Sequence, residues 1–211
     1  MLISLLLLVG AYLLGSLSGS LLLGRWRGVD VRRHGSGNAG GTNALRTLGW
    51  KFALGVVLID VGKGAVATWL ALRFAPPDAP VDALALAWSA ALLAIAGHTW
   101  PLFYGFRGGK GAATLLGALA VIWPWSLPWF LGVWLIIIGV SGYVGLATIL
   151  ATLGLIVVAA LAGNAMQSGF AVGTAALIVY NHRDNIRRLL AGNEARFERA
   201  RILLRPLRSR R

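Results

Sequence analysis

Residues 111–182 read GAATLLGALAVIWPWSLPWFLGVWLIIIGVSGYVGLATILATLGLIVVAALAGNAMQSGFAVGTAALIVYNH, 72 positions without one Asp, Glu, Lys or Arg. A helix with a water-facing side carries charged and polar residues along it. A hydrocarbon core about 30 Å thick needs roughly 20 apolar residues per crossing. The stretch is punctuated at Pro124 and Pro128, around Ser141-Gly142 and near Gly163-Asn164. Outward from it, further apolar runs cover about 2–24, 52–72 and 82–100, the last two separated by the helix-breaking Pro76-Pro77-Asp78. The chain of 211 residues is 57% hydrophobic and 13% charged, where a soluble domain carries about 25% charged residues. Its mean hydropathy is +0.73. The expected fold class is all-α, a polytopic integral membrane protein.

The loops set the orientation. Residues 25–51 hold Arg25, Arg27, Arg32, Arg33, Arg46 and Lys51 against Asp30, whereas 73–82 hold Arg73 against Asp78 and Asp82. Residues 101–110 add Arg107 and Lys110, and 183–211 carry ten Arg against three acids. The positive-inside rule puts 25–51, 101–110 and the C-terminus in the cytoplasm, with the N-terminus and 73–82 outside. Both flanks of 111–182 are then inside, so that stretch crosses an even number of times. Four crossings give about seven transmembrane helices in all; five is the alternative, because 111–122 and 127–141 are short enough for half-helices. The run at 2–24 lacks a basic leader and an A-x-A cleavage site, so it is expected to be a retained helix. Residues 1–182 then form one transmembrane domain with cytoplasmic loops at about 25–51, 101–111 and 141–145, followed by a basic tail at 183–211.

Several function classes drop out. The net charge of +13 would fit a nucleic-acid binder in a soluble protein, but in a membrane protein it marks cytoplasmic loops, and no nucleic-acid partner is expected. The chain has no cysteine and only three histidines. A disulfide framework and a thioester intermediate are therefore excluded, and no metal site is expected.

The polar residues gather in three cytoplasmic segments. The first is Arg33-His34-Gly35-Ser36-Gly37-Asn38-Ala39-Gly40-Gly41-Thr42-Asn43-Ala44-Leu45-Arg46. Its glycines let consecutive N–H groups curl around one anion, and it leads into a helix whose N-terminus favours negative charge. Gly35 to Gly40 also fits G-x-G-x-x-G with Asp60 some 20 residues on, but no buried strand precedes it and Asp60 lies in an apolar helix. The second segment runs from Gly97-His98 to Gly108-Gly109-Lys110-Gly111. It reads either as a phosphate cradle at a helix start or as a basic stop-transfer loop; it lacks the Walker A spacing. The third is Tyr180-Asn181-His182-Arg183-Asp184-Asn185, continuing to Glu194, where His182 and Asn185 share one helix face. Asp60 and Lys63, at i,i+3 inside an apolar helix, are expected to neutralise each other as a structural pair. His98 either donates to a substrate or closes a hydrogen bond beneath its loop.

In order, the patterns GSGNxGxTNxxR, GHxxPxFxxFxGGKGxAT and HRxNIxRLxxGxE resemble those of the bacterial acyl-phosphate-dependent glycerol-3-phosphate acyltransferases, and the likeness runs from about residue 15 to 197. The resemblance implies transfer of a fatty acyl group from acyl phosphate to the sn-1 hydroxyl of sn-glycerol 3-phosphate, giving lysophosphatidic acid and inorganic phosphate, with no cofactor. It further implies a multi-pass protein of the bacterial cytoplasmic membrane, with its active site facing the cytoplasm. The implied partners are the two substrates, membrane lipids and the enzyme that supplies acyl phosphate. By the same resemblance, Ser36, Arg46, His182 and Asn185 are catalytic. Asn38, Thr42, Asn43, Gly108, Gly109, Lys110 and Gly111 bind substrate, and Glu194 serves structural integrity. His98 joins the substrate-binding residues by its place in the second segment, not by the resemblance.

One departure stands out. The loop after the fifth helix carries a serine in the family's pattern, where this chain has Gly145. The Gly145 N–H or the Ser141 hydroxyl is the expected substitute donor. Two other functions fit the pattern without the resemblance: a carrier of organic phosphates, and a membrane scaffold binding anionic lipid through its arginine-rich tail. The carrier lacks a visible inverted repeat and a midplane site; the scaffold leaves the Gly-Asn-Thr loop unexplained.

Overall fold

A computed structural model of the chain describes residues 1–162 and 165–200. The break expected near Gly163-Asn164 and the last eleven residues of the basic tail lie outside the described residues. Ten α-helices and three short 3₁₀ turns make up the ordered elements, with no strand among the described residues. The helices are α1 (Leu2–Gly15), α2 (Gly19–Trp26), α3 (Gly41–Leu48), α4 (Trp50–Arg73), α5 (Ala83–Thr99), α6 (Ala112–Ile122), α7 (Ser126–Ser141), α8 (Val144–Ala162), α9 (Ala165–Asn181) and α10 (Arg183–Leu190). Three spans, Trp50–Arg73, Ala83–Tyr104 and Val144–Ala162, are long and apolar enough to cross a membrane, and the bent pair α1–α2 makes a fourth. Leu5, Leu58, Trp69, Leu84 and Val157 all stand exposed along these helices, as a lipid-facing surface requires.

The chain divides into two compact units, Met1–Pro124 and Trp125–Arg211. The boundary expected at 182/183 falls inside the second unit, between α9 and α10. In the first unit α4 is the central element, packed against α1, α2, α3, α5 and α6. Glycines permit two close crossings. A Cβ on Gly64 of α4 would overlap the Thr114 backbone of α6, and one on Gly117 of α6 would overlap the Val61 carbonyl of α4. Gly15 of α1 against Ala94, and Gly97 of α5 against Tyr12, repeat this arrangement. Small residues facing each other in pairs allow the backbone approach that holds helices together where lipid removes most of the hydrophobic drive.

The single helix expected over 2–24 is two helices meeting at 54°. Ser16-Leu17-Ser18 interrupts the ladder, which frees backbone groups that a bilayer cannot hydrate. The charged pair on α4 satisfies them. Asp60 Oδ1 accepts from the Gly19 N–H at 3.0 Å, at the positive end of α2. Lys63 Nζ donates to the Leu17 carbonyl at 3.0 Å.

The second unit packs α7 on α8 and α8 on α9, with α10 against α8 and α9. Gly142, at φ +74°, ends α7 in the left-handed conformation. Its carbonyl accepts from the Phe197 N–H at 2.8 Å, and Arg196 Nε donates to the Tyr143 hydroxyl at 2.8 Å. The segment after α10 is thereby pinned back to the α7–α8 turn.

Candidate functional site

The first polar segment is organised by Asn43, a side chain only 2% exposed. Its Nδ2 donates to the carbonyls of Val31 (3.0 Å), His34 (2.9 Å) and Asn38 (3.0 Å). Its Oδ1 accepts from the Ser36 N–H at 2.9 Å. These partners use the amide's donors and one of its acceptor positions, so Asn43 shapes the loop from inside, where the sequence assigned it to substrate. Around that hub, Gly35 (φ +58°) and Gly37 (φ +73°) take left-handed turns. Ser36 is exposed between them, and its hydroxyl makes no hydrogen bond among the described residues. Asn38 and Thr42 are half-buried, the latter in the first turn of α3, and Arg46 stands exposed in its last turn.

The second segment closes on itself. The Gly108 N–H donates to the Thr99 carbonyl and the Gly109 N–H to the His98 carbonyl, both at 3.1 Å. Those two N–H groups, expected from sequence to cradle an anion, therefore close the loop. The Gly111 N–H at the start of α6 makes no hydrogen bond among the described residues, and half-buried Lys110 precedes it. The unsatisfied first N–H groups of α6 follow directly. The two segments meet: the Ala39 carbonyl lies 3.1 Å from the position of a Cβ on Gly109.

Two residues not singled out in the sequence join them. Asp30 and Arg32 pair through Nη2–Oδ2 at 2.9 Å and Nε–Oδ1 at 3.0 Å. Arg32 Nη1 then donates to the Tyr104 carbonyl at 2.9 Å and the Arg107 carbonyl at 3.1 Å. It clamps a turn in which Gly105 (φ +65°) and Phe106 (φ +59°) are both left-handed, a strained state for a phenylalanine. The Arg32 guanidinium, hydrogen-bonded to the Asp30 carboxylate, holds it below the ordinary aspartate value of 3.8. In sequence both read as loop charges; the available signal was an Asp two residues before an Arg at the mouth of a glycine-rich loop.

Beneath the second loop lies a buried cluster. Lys63 Nζ is 2.9 Å from Asp60 Oδ1 and 2.7 Å from His98 Nδ1. Asp60 and His98 are 1% and 2% exposed.

In the second unit, His182 occupies the N-cap position of α10, without a side-chain capping bond. Its Nδ1 lies 2.8 Å from the Ile178 carbonyl, which can only accept, so Nδ1 donates. Asn185 Nδ2 donates to Glu194 Oε1 at 2.5 Å, and Arg188 Nε donates to Glu194 Oε2 at 2.6 Å. The Glu194 carboxylate thus ties the chain after α10 to two residues of that helix. A Cβ on Gly145 would stand 3.0 Å from the Asn185 amide. Ser141, the expected stand-in donor, has its hydroxyl in the local turn: it donates to the Ile137 carbonyl at 2.7 Å and accepts from the Tyr143 N–H at 3.1 Å.

Residues 5–192 match the sequence model of a family described as glycerol-3-phosphate acyltransferase. A glycerol-3-phosphate acyltransferase of Synechococcus sp. (strain CC9902) is 43% identical over 92% of this chain and 94% of its own. One of Chlorobaculum tepidum is 37% identical over 93% and 97%. Among solved structures, PlsY (YgiH), an integral membrane glycerol 3-phosphate acyltransferase in its glycerol 3-phosphate form, superposes with a TM-score of 0.85 at 37% identity, covering 96% of this chain and 99% of that one. Its lysophosphatidic acid form gives a TM-score of 0.83. With this all-helical fold and near-full-length likeness, the chain belongs to the glycerol-3-phosphate acyltransferase family.

Proposed function

We propose that the protein transfers a fatty acyl group from acyl phosphate to the sn-1 hydroxyl of sn-glycerol 3-phosphate, releasing 1-acyl-sn-glycerol 3-phosphate and inorganic phosphate in phospholipid synthesis. The observation that carries this reading is the meeting of the two glycine-rich loops, at Ala39 and Gly109, beside Lys110 and the N-terminus of α6. Both substrates carry phosphate, and a helix N-terminus with an adjacent lysine suits that group.

In this reading the sn-1 oxygen forms a bond to the acyl carbon while the carbon–oxygen bond to the leaving phosphate breaks. The hydroxyl proton passes to phosphate. A mixed anhydride is already activated, so the protein's work is alignment and charge stabilisation. Ser36, Asn38, Thr42, Arg46, Lys110 and Gly111 are the proposed catalytic and substrate-binding groups of the first unit, with Asn43, Gly108 and Gly109 fixing the loops. His182 and Asn185 are those of the second, with Glu194 holding Asn185. The activated leaving group is what supports a scheme in which no side chain is an obligatory general base, since His182, donating from Nδ1 to a carbonyl, keeps Nε2 as a basic nitrogen. A trapped acyl-Ser36 adduct in a slow variant would contradict that scheme.

The proposed topology is seven spans with the N-terminus outside and the C-terminus and loops cytoplasmic, in a bacterial inner membrane. The enzyme that makes acyl phosphate is the proposed partner. The donor assignment is tested by offering palmitoyl phosphate, palmitoyl-CoA and palmitoyl carrier protein in parallel to the purified protein. Product from palmitoyl phosphate alone is expected; turnover with either thioester at a comparable rate would refute it.

A further inference from the structure

Lys63 has three N–H donors and no acceptor. Each has a partner: the Leu17 carbonyl at 3.0 Å, Asp60 Oδ1 at 2.9 Å and His98 Nδ1 at 2.7 Å. At 2.7 Å two nitrogens cannot both carry a hydrogen toward each other. His98 Nδ1 also lies 3.4 Å from Asp60 Oδ1, a longer contact in which it would have to donate. With the ammonium donating across the shorter one, Nδ1 accepts, and in a neutral imidazole the hydrogen then sits on Nε2. Nε2 points the other way, against Gly109: a Cβ there would overlap it, which is why the position takes glycine. This nitrogen makes no hydrogen bond among the described residues, although the side chain is only 3% exposed. Nε2 is not one of the fully enclosed unpartnered atoms of the described residues, and Gly109, against which it lies, stands two residues before the N-cap of α6.

We propose that Lys63 locks His98 as the neutral Nε2–H tautomer, so that His98 donates to an oxygen of a phosphate group bound at the Gly108–Gly111 loop. This rests on the phosphate-site reading above and deepens it. It turns the Asp60–Lys63 pair into a positioning device that serves the helix break and the loop at once. The same geometry removes His98 as a general base, because its only basic nitrogen already accepts from Lys63.

The tautomer is read without any variant, from the ring nitrogens of [¹⁵N]histidine-labelled protein in lipid nanodiscs, with His98 assigned by the signals missing in His98→Asn. An imine-type Nδ1 and a pyrrole-type Nε2 are expected, with Nε2–H shifting on titration with inorganic phosphate. A hydrogen on Nδ1, a doubly protonated ring or an Nε2 indifferent to phosphate would overturn the proposal. In the transfer assay, a Gln at 98 places an amide donor near Nε2 and an Asn places one near Nδ1. His98→Asn should raise one substrate's KM by roughly tenfold to a hundredfold, the range of one lost hydrogen bond to a charged acceptor. His98→Gln should recover much of that loss, and the substrate affected, sn-glycerol 3-phosphate or palmitoyl phosphate, identifies the phosphate. Equal loss in both variants would refute the donor role. A wild type that binds inorganic phosphate at Nε2–H but transfers no acyl group would instead refute the assigned reaction and leave the tautomer standing.

Discussion

Replacing Asn43 with alanine should unmake the first loop without unfolding the helices around it. The side chain meets three carbonyls, of Val31, His34 and Asn38, and the N–H of Ser36. Two amide hydrogens and one acceptor bond give three full hydrogen bonds, each contributing about 1 kcal/mol net, so the loop should lose roughly 3 kcal/mol, or about a hundredfold in its ordered population. The α3–α4 packing through Ala44, Phe52 and Val56 does not involve the amide and should persist. Hydrogen exchange on the substrate-free protein reads this directly: residues 31–40 should lose protection while α4 and α5 keep theirs. Asn43→Asp should be worse than Asn43→Ala, since it turns a second acceptor toward three carbonyl oxygens. Unchanged protection of 31–40 in the substrate-free variant, with only a raised KM, would refute the hub and return Asn43 to substrate contact.

Arg32→Lys should weaken sn-glycerol 3-phosphate binding nearly as much as Arg32→Ala, because an ammonium cannot hold the Asp30 carboxylate and two carbonyls in the planar fork; a KM within twofold of wild type for the lysine variant would count against the clamp. Asp30 is held below 3.8 by its hydrogen bonds from Arg32, so its contribution to loop stability is full above that pH and is lost as pH falls through the depressed value. Acid loosening of residues 102–107, followed by hydrogen exchange, should therefore begin only below about pH 3.8, and an onset near neutrality would contradict this assignment. Gly64→Ala should destabilise the α4–α6 crossing by about 1–3 kcal/mol through overlap with the Thr114 backbone, while Gly62→Ala, which meets open space, should be tolerated; thermal unfolding in detergent that moved equally for both would show that the close crossing does not matter. Gly145→Ala and Gly145→Ser should lower turnover alike by pressing on Asn185, whereas a gain confined to the serine variant would show that a hydroxyl donor is missing there.

The all-helical class was legible because a bilayer forces its period and length on sequence: the uncharged run at 111–182 and the arginine-rich loops carry that signal plainly. The bend between α1 and α2 was hidden, since Ser16-Leu17-Ser18 looks unremarkable within an apolar run. What makes the break tenable is a charged pair over 40 positions away, at Asp60 and Lys63. The glycine-rich loops stood out by composition, yet composition does not say where an N–H points. Gly108 and Gly109 looked like anion donors and instead close their loop on Thr99 and His98. Asn43 read as a substrate contact because a polar side chain in a polar loop looks the same whether it faces outward or inward. Arg32 was one positive charge among many until the backbone brought Tyr104 and Arg107 within its reach.

The central claim is most directly tested by mixing the purified protein in lipid with palmitoyl phosphate and labelled sn-glycerol 3-phosphate, without CoA or metal, beside Ser36→Ala and Lys110→Ala. Labelled lysophosphatidic acid from the wild type, with little or none from either variant, is the predicted result. No labelled lipid product, together with saturable uptake of labelled glycerol phosphate into sealed vesicles, would contradict it and show that the loops serve a carrier.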